Sequence, residues 1–506
     1  MKMKISTKIK AGLTGFAFMW ASSCDVIDTL PATIIPDAEA FATAARIESI
    51  VFGVYEAAQR GFFNGSSVNG RGYPFGAATV QQGDMRGEDM YNDQLFYEIT
   101  YTGTYNPNTA NNNNMWSSLY RVINRANITL EGLEPALSEG VLTQDQRNRY
   151  RGEMLFMRAL SHHEVLIHFA RPYTDDPGSM GIPYRIFPIN DVPLVTEGEA
   201  VGRTTVGEDY AQLIADLDEA EQLLPEGGGM ARANKGAAIG LKIRVKQHMG
   251  DWQGVLTEFA KVTGYAVTAN PAAPFRGTST DNIFSFINSA ESNGTVNGAL
   301  PAMYGNPADG GRGLVKVSPL IWRSNFWHPE DTRRELLTSR NAAGIYSAKY
   351  IDPITRADPT PILRYSELVL TAAEANARLG NLDVAVTLLN SVRDRALPAS
   401  VPSFTAAGLG GQEGVLTAIF NEKRIEFLGE GRRWPDIHRL SGEGRMDGVP
   451  AKASSRQIGN LDFYTTDRVI PTDHAIAYSS NAFIWPIPLE EILTNATAPI
   501  PQNPGY

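Results

Sequence analysis

Residues 363–396, LRYSELVLTAAEANARLGNLDVAVTLLNSVRDRA, constrain the fold more than any other stretch of the chain. Leu363, Leu368, Leu370, Ala373, Ala377 and Leu379 recur near the 3.6-residue period of a helix. Leu382, Ala385, Val386, Leu389 and Val392 resume it after Gly380-Asn381. Gly380 suits the residue after a helix end, because glycine enters the left-handed region without a Cβ penalty. Ala372, Ala373, Ala375 and Ala377 leave room for a second helix to approach closely. The spacing predicts an antiparallel helical hairpin of the tetratricopeptide type.

The same design recurs upstream. Gly250-Asp251-Trp252 aligns with Gly380-Asn381-Leu382, and Val255, Phe259 and Val262 then stand where Ala385, Leu389 and Val392 stand. A third, weaker unit starts at Trp116-Ser117-Ser118-Leu119-Tyr120 and runs through Ala126. Such units bury their apolar faces only by stacking on neighbours. The expected fold is therefore mainly α: one domain over 38–506 on a helical-repeat scaffold, with helical pairs at about 38–58, 115–262 and 363–440. Individual helices are expected at 38–58, 115–137, 144–169, 206–224 and 415–440, the fourth opened by a capping box from Thr205 to Glu208. Residues 60–115 and 263–361 lose the helical period and fill with glycine, asparagine, proline and aromatic residues. Long stretches of this kind in a compact protein are functional or disordered, and their aromatic content argues against disorder.

The first two dozen residues read as an address. Lys2, Lys4, Lys8 and Lys10 precede an apolar run of eleven residues, 11–21, and Ser22-Ser23-Cys24 follows. A membrane-spanning helix needs about 20 apolar residues, so this run fits a cleaved signal peptide instead. Cys24 is the sole cysteine among 506 residues and stands at the cleavage point, although Ala21 occupies a position where a lipoprotein signal usually has leucine. The expectation is a signal peptide over 1–23, a lipidated Cys24 and a short tether over 24–37, holding the protein on a membrane by lipid alone. Loss of residues 1–23 takes the net charge from −10 to −14. An acidic chain with no basic run is a poor partner for nucleic acid.

Signals for catalysis fail on spacing. His163-Glu164 is followed by His168, one residue too far for the zinc motif HExxH. Glu422, Glu426 and Glu430 at four-residue steps could be taken for glycosidase carboxylates, but Arg424, Arg432, Arg433 and Arg439 lie close enough to pair with them. A glycosidase acid needs a raised pKa, and arginine partners lower it. There is no G-x-S-x-G, and Gly408, Gly410, Gly411 and Gly414 miss the G-x-G-x-x-G spacing. The expectation is no catalytic residue, no metal and no cofactor.

Motifs along the whole length resemble those of the SusD/RagB family. They are Cys24 followed by Asp25-Val26-Ile27-Asp28, WSSLYRVINRAN at 116–127, Arg151-Gly152-Glu153 through Arg158-Ala159, Arg203 through Leu224, and Lys235 through Trp252. Leu363 through Ala396 follows, then NEKRIEFLGEGRRWPDIHR at 421–439, Pro486-Ile487-Pro488 and the closing Gln502-Asn503-Pro504-Gly505-Tyr506. The resemblance implies a non-catalytic outer-membrane lipoprotein facing the exterior. Such a protein captures oligosaccharide, or peptide, and delivers it to a TonB-dependent transporter of the SusC/RagA type. It fixes no ligand residues. Sugars call for aromatic platforms beside hydrogen-bonding side chains, and on that ground Asp84, Arg86, Asp89, Tyr91, Phe96, Tyr304 and Trp327 are the expected ligand contacts. The alternatives are a tetratricopeptide adaptor for partner proteins and a surface glycan hydrolase using the carboxylate helix.

Overall fold

The computed structural model describes residues 37–61, 71–454, 456–458, 460–495 and 497–506. Cys24, the signal peptide and nearly all of the tether lie outside these residues. The first half holds α1 (Asp37–Ala40), α2 (Ala44–Arg60), α3 (Ala77–Met85), α4 (Glu98–Thr102), α5 (Ala110–Ser138), α6 (Gln144–Phe169), α7 (Val192–Glu199), α8 (Val206–Leu223), α9 (Lys235–Met249) and α10 (Trp252–Phe259). The second half holds α11 (Leu300–Tyr304), α12 (Pro319–Trp322), α13 (Arg333–Leu336), α14 (Tyr365–Arg378), α15 (Leu382–Arg393), α16 (Gln412–Glu426), α17 (Arg433–Gly442), α18 (Asp462–Thr465) and α19 (Leu489–Thr494).

The long helices stack in series: α2 on α5, α5 on α6, α6 on α8, α8 on α9, α9 on α10, α10 on α14, and α14 on α15 and α16. Their starts are written locally. Thr143 with Gln146, and Thr205 with Glu208, form complete capping boxes on α6 and α8, while Asn234 caps α9 through Ala237 N at 2.9 Å. The two aligned glycines do what their spacing requires: Gly250 has φ +72° and Gly380 φ +85°, each reversing the chain between paired helices. The apolar stripe of the α14–α15 hairpin, from Leu370, Ala373 and Ala377 to Ala385, Leu389 and Val392, packs against Val415, Leu416 and Ile419 of α16.

Three expectations need correction. Leu363 belongs to a strand (Thr360–Arg364) ahead of the helix, and Leu379 is largely exposed. The segment over 38–58 is two helices, because Thr43 takes extended backbone and caps α2 by accepting from Arg46 N. The single helix expected over 415–440 breaks into α16 and α17. Gly429 and Gly431 both sit at positive φ between them. The break is enforced by packing: a Cβ on Gly431 would lie 2.7 Å from Val80 Cα, and one on Gly83 would lie 2.2 Å from Gly431 O. Only glycine lets these two backbones touch.

The stretches over 60–115 and 263–361 carry more regular structure than their composition suggested. They contain α3, α4, α11, α12 and α13 and the strands β1 (Met90–Tyr91), β2 (Asn282–Phe286), β3 (Lys316–Val317), β4 (Thr338–Asn341), β5 (Gly344–Ser347) and β6 (Thr360–Arg364). β1 pairs with β3, β2 with β6 and β4 with β5, all antiparallel. The β1–β3 pair joins the two stretches around a second core of Met85, Met90, Tyr91, Met303, Tyr304, Val317, Ile321 and Trp327. No helix among the described residues is long and apolar enough to cross a membrane.

Candidate ligand-binding site

The break between α16 and α17 brings the second core onto the helical stack, and buried ion pairs join them. Glu426 accepts from Arg333 (3.0 Å), Arg364 (2.9 Å) and Arg395 (2.6 Å). Glu430 accepts from Lys349 (2.5 Å) and Arg364 (2.9 Å), and Glu422 from Arg333 (2.5 Å). These arginines come from the irregular region and from the α14–α15 hairpin. They are not the four on the signature segment itself, as the spacing suggested. Arg424 and Arg433 instead bind Glu88 and Asp89, Arg432 binds Glu367, and Arg439 binds Glu374 and Asp436. The carboxyl of Glu426 is held far below the usual range: burial opposes the charge, but Arg395, Arg364 and Arg333 outweigh it. Burial raises the Glu422 carboxyl, against Arg333. All three glutamates are buried, so none faces a cleft.

This staple decides the fate of the expected ligand contacts. Asp84 is buried, accepts from Tyr304 OH at 2.6 Å and from Gly431 N at 3.0 Å, and is pushed up to about 7 by burial. Tyr304 is fully buried as its partner. Arg86 is buried with its guanidinium 3.3 Å from the Trp434 ring centre, donates to Phe483 O and contacts His168 Nδ1 at 2.9 Å. Asp89 is buried under Arg424. Tyr91 lies in β1 with its ring edge-on to Tyr101, 1% exposed. Trp327 is 2% exposed beside Arg334. Asp84, Arg86 and Asp89 tie the second core to the stack, Tyr91, Tyr304 and Trp327 fill that core, and none of the six offers surface to a ligand. Their mixture of charge and aromaticity, which suggested a sugar site, is that of a polar core.

Phe96 is different. It is partly exposed on the rim of the second core, its ring edge-to-face with Tyr97 at 4.9 Å. The guanidinium carbons of Arg71 and Arg312 lie 5.3 and 5.4 Å from its centre. Arg312 is fixed by Asn297 Oδ1 and by Met303 Sδ. Tyr97 has φ +67°, costly for a bulky residue, and this turn sends the Tyr97 ring inward and leaves Phe96 on the outside. Exposed Leu95 and Ile99 flank it in sequence. Two further rings, Trp322 and Phe326, pack on the same core while remaining partly exposed. Trp322 is edge-to-face with Trp327 at 5.3 Å and carries Arg334 at 4.4 Å, and Phe326 carries Arg424 at 5.0 Å. Both lie between the expected contacts Tyr304 and Trp327, but composition does not distinguish Trp322 from Trp327; burial does.

The histidines that failed the zinc spacing are packed groups. His168 stacks on Trp485 at 4.4 Å and pairs with Glu164 at 3.2 Å, and His163 stands edge-on to His248 at 5.0 Å. No cluster of three or more histidine, cysteine or acidic side chains among the described residues could hold a metal ion.

Comparison with known proteins agrees with this architecture. Residues 301–506 match the SusD family model, and residues 40–246 match one described as starch-binding associating with outer membrane. SusD-like protein P2 of Formosa agariphila is 24% identical over 450 residues, covering 77% of this chain and 80% of that protein. A crystal structure of a SusD superfamily protein from Bacteroides fragilis superposes with TM-score 0.76 at 26% identity, over 90% of this chain and 99% of the other. Surface glycan-binding protein A from Bacteroides thetaiotaomicron, in complex with laminarihexaose, superposes with TM-score 0.67 at 18% identity, over 91% and 99%. With its helical-repeat stack, its second core stapled through the 421–439 signature and family models matching both halves, this chain belongs to the SusD/RagB family.

Proposed function

We propose that the chain is a non-catalytic glycan-binding lipoprotein of the cell surface, anchored through lipid on Cys24. It captures oligosaccharide at the rim of the second core and delivers it to a SusC/RagA-type TonB-dependent transporter. The observation that carries the binding role is the Phe96 ring, held outward between two arginines by a left-handed turn at Tyr97. A partly exposed ring offers apolar surface to sugar C–H groups, and the flanking guanidiniums donate to hydroxyl and ring oxygens. The laminarihexaose bound by a structural neighbour supports glycan as the cargo.

Absence of catalysis is supported by the state of the carboxylates. Hydrolysis needs two carboxyl groups flanking a sugar in an open cleft. Glu422, Glu426 and Glu430 are instead buried and paired to arginine and lysine.

Native electrophoresis through gels containing soluble laminarin, starch, xyloglucan or casein tests the reading. The chain from Asp25 onward should be retarded by at least one glycan and not by casein. Phe96→Ala should weaken that retardation while keeping the wild-type melting temperature. Retardation by casein alone would replace glycan with peptide. Release of reducing ends that disappears in Glu422→Gln would restore the hydrolase reading.

A further inference from the structure

A cavity of about 630 Å³ opens on the helical stack, built by α5, α7 and α19 and away from the second core. We propose that this cavity is a second carbohydrate site, taking a short neutral oligosaccharide independently of the Phe96 rim. One wall is a face of α5 carrying Asn113, Ser117, Tyr120 and Asn124 at helical steps. Opposite stand Val195 and Glu199 of α7, and α19 closes the end with Glu490, Glu491 and Thr494.

The walls are fixed to one another by hydrogen bonds. Glu491 accepts from Trp116 Nε1 and from Arg185, both at 3.1 Å, which ties α19 to α5. Arg185 also donates to Gly198 O at 2.9 Å and so holds the end of α7. Asn124 donates to Ile189 O and accepts from Ile189 N, and Tyr120 donates to Pro183 O at 3.0 Å. A cleft with walls pinned in this way loses little entropy on binding. Its size lies within the range of small-molecule sites, about 300–1,000 Å³.

The chemistry of the lining selects the ligand. Amides, hydroxyls and carboxylates surround the half-buried ring of Tyr120, which is backed by the buried Trp116 at 4.7 Å. Asn113 Oδ1 has no hydrogen-bond partner among the described residues. Glu199, Glu490 and Glu491 repel an anion, and Arg121 and Arg185 repel a cation. A neutral polyol satisfies both sets, because its hydroxyls donate to carboxylate and amide oxygens and accept from guanidinium and amide N–H groups.

The test is calorimetric titration with laminarihexaose, maltohexaose, cellohexaose and a sulfated hexasaccharide. Four proteins are compared: wild type, Phe96→Ala, Val195→Trp and the double variant. Val195 is 44% exposed on the cavity wall, so a tryptophan there fills the cleft without entering the core. Melting curves verify that each variant folds. The proposal expects a neutral hexasaccharide to bind Phe96→Ala and to lose at least about tenfold affinity when Val195→Trp is added. Binding abolished by Phe96→Ala and untouched by Val195→Trp overturns the second site and leaves the rim intact. Binding indifferent to both changes, or absent from wild type at millimolar probe, overturns both sites. Preference of the cleft for the sulfated probe overturns the neutral class.

Discussion

Glu426→Gln removes one charge from the staple while keeping shape. In the wild type this carboxylate, 2% exposed, serves three arginines drawn from α13, β6 and the end of α15. After the change Arg333 keeps Asp331 and Glu422, and Arg364 keeps Asp281 and Glu430. Arg395 keeps Thr268 O at 2.8 Å and loses its carboxylate. Removing one partner of a buried ion pair costs about 3–5 kcal/mol. At about 2.1 cal/mol/K of unfolding entropy per residue, a chain this long has roughly 1 kcal/mol/K, so the melting temperature should fall by about 3–5 °C. Glu413→Gln, at an exposed pair with Arg445, is the control and should cost under about 1 kcal/mol. Arg395→Met added to Glu426→Gln should recover part of the loss, with a coupling of about 0.5–3 kcal/mol. Differential scanning calorimetry of the wild type, Glu426→Gln, Glu413→Gln, Arg395→Met and the double variant decides it. An unchanged Glu426→Gln, or full additivity with Arg395→Met, would refute the claim that this carboxylate holds the halves together.

Burial depresses the imidazoles of His162, His163, His168, His248 and His438, with His163 and His438 near 3. Below the unfolded value of about 6.5 the unfolded chain takes up protons that the folded chain refuses, costing about 1.4 kcal/mol per pH unit per group. Asp84 and Asp209, pushed up to about 7 by burial, and Asp89, Asp358 and Glu422, also raised by burial, act oppositely. The histidine contribution is read as a difference: the change in melting temperature from pH 6.5 to 5 should be less destabilising in His163→Phe than in the wild type. Tyr304→Phe deletes the hydrogen bond to Asp84 and should cost about 1–3 kcal/mol. Because that bond favours the ionised carboxyl, the cost in denaturant titrations should be larger at pH 8 than at pH 6. Gly83→Ala, which raises helix propensity, should nevertheless lose at least about 2 kcal/mol, because its methyl meets Gly431 O; a gain in urea midpoint would contradict the contact. Cys24→Ala should shift the expressed protein from the detergent-extracted membrane fraction to the soluble fraction.

The helical stack was legible because its information is local. The 3.6-residue stripe over Leu370–Leu389, the glycines at 250 and 380 and the capping box at Thr205 each act within a few residues, and each appears where its spacing places it. The break after Glu426 was not legible from periodicity, since Gly429 and Gly431 are demanded by contact with α3, some 350 residues away in sequence. Separations of 31 to 93 residues hid the partners of Glu422, Glu426 and Glu430. Nearby arginines were the reasonable guess, yet the chain brings Arg333, Arg364 and Arg395 in from elsewhere. At the candidate site, residue type was a poor guide because a charged, aromatic core and a sugar platform use the same residues. Tyr91 and Trp327 turn inward while Phe96 and Trp322 reach the rim, and that choice rests on long-range packing.

The most direct measurement is a crystal structure of the mature protein with the hexasaccharide that binds most tightly in solution. A pyranose ring is expected against the exposed part of Phe96, with Arg71 and Arg312 donating to its oxygens. A bare Phe96, with sugar bound only in the α5–α7–α19 cavity or elsewhere, would contradict the assignment of the rim as the capture site.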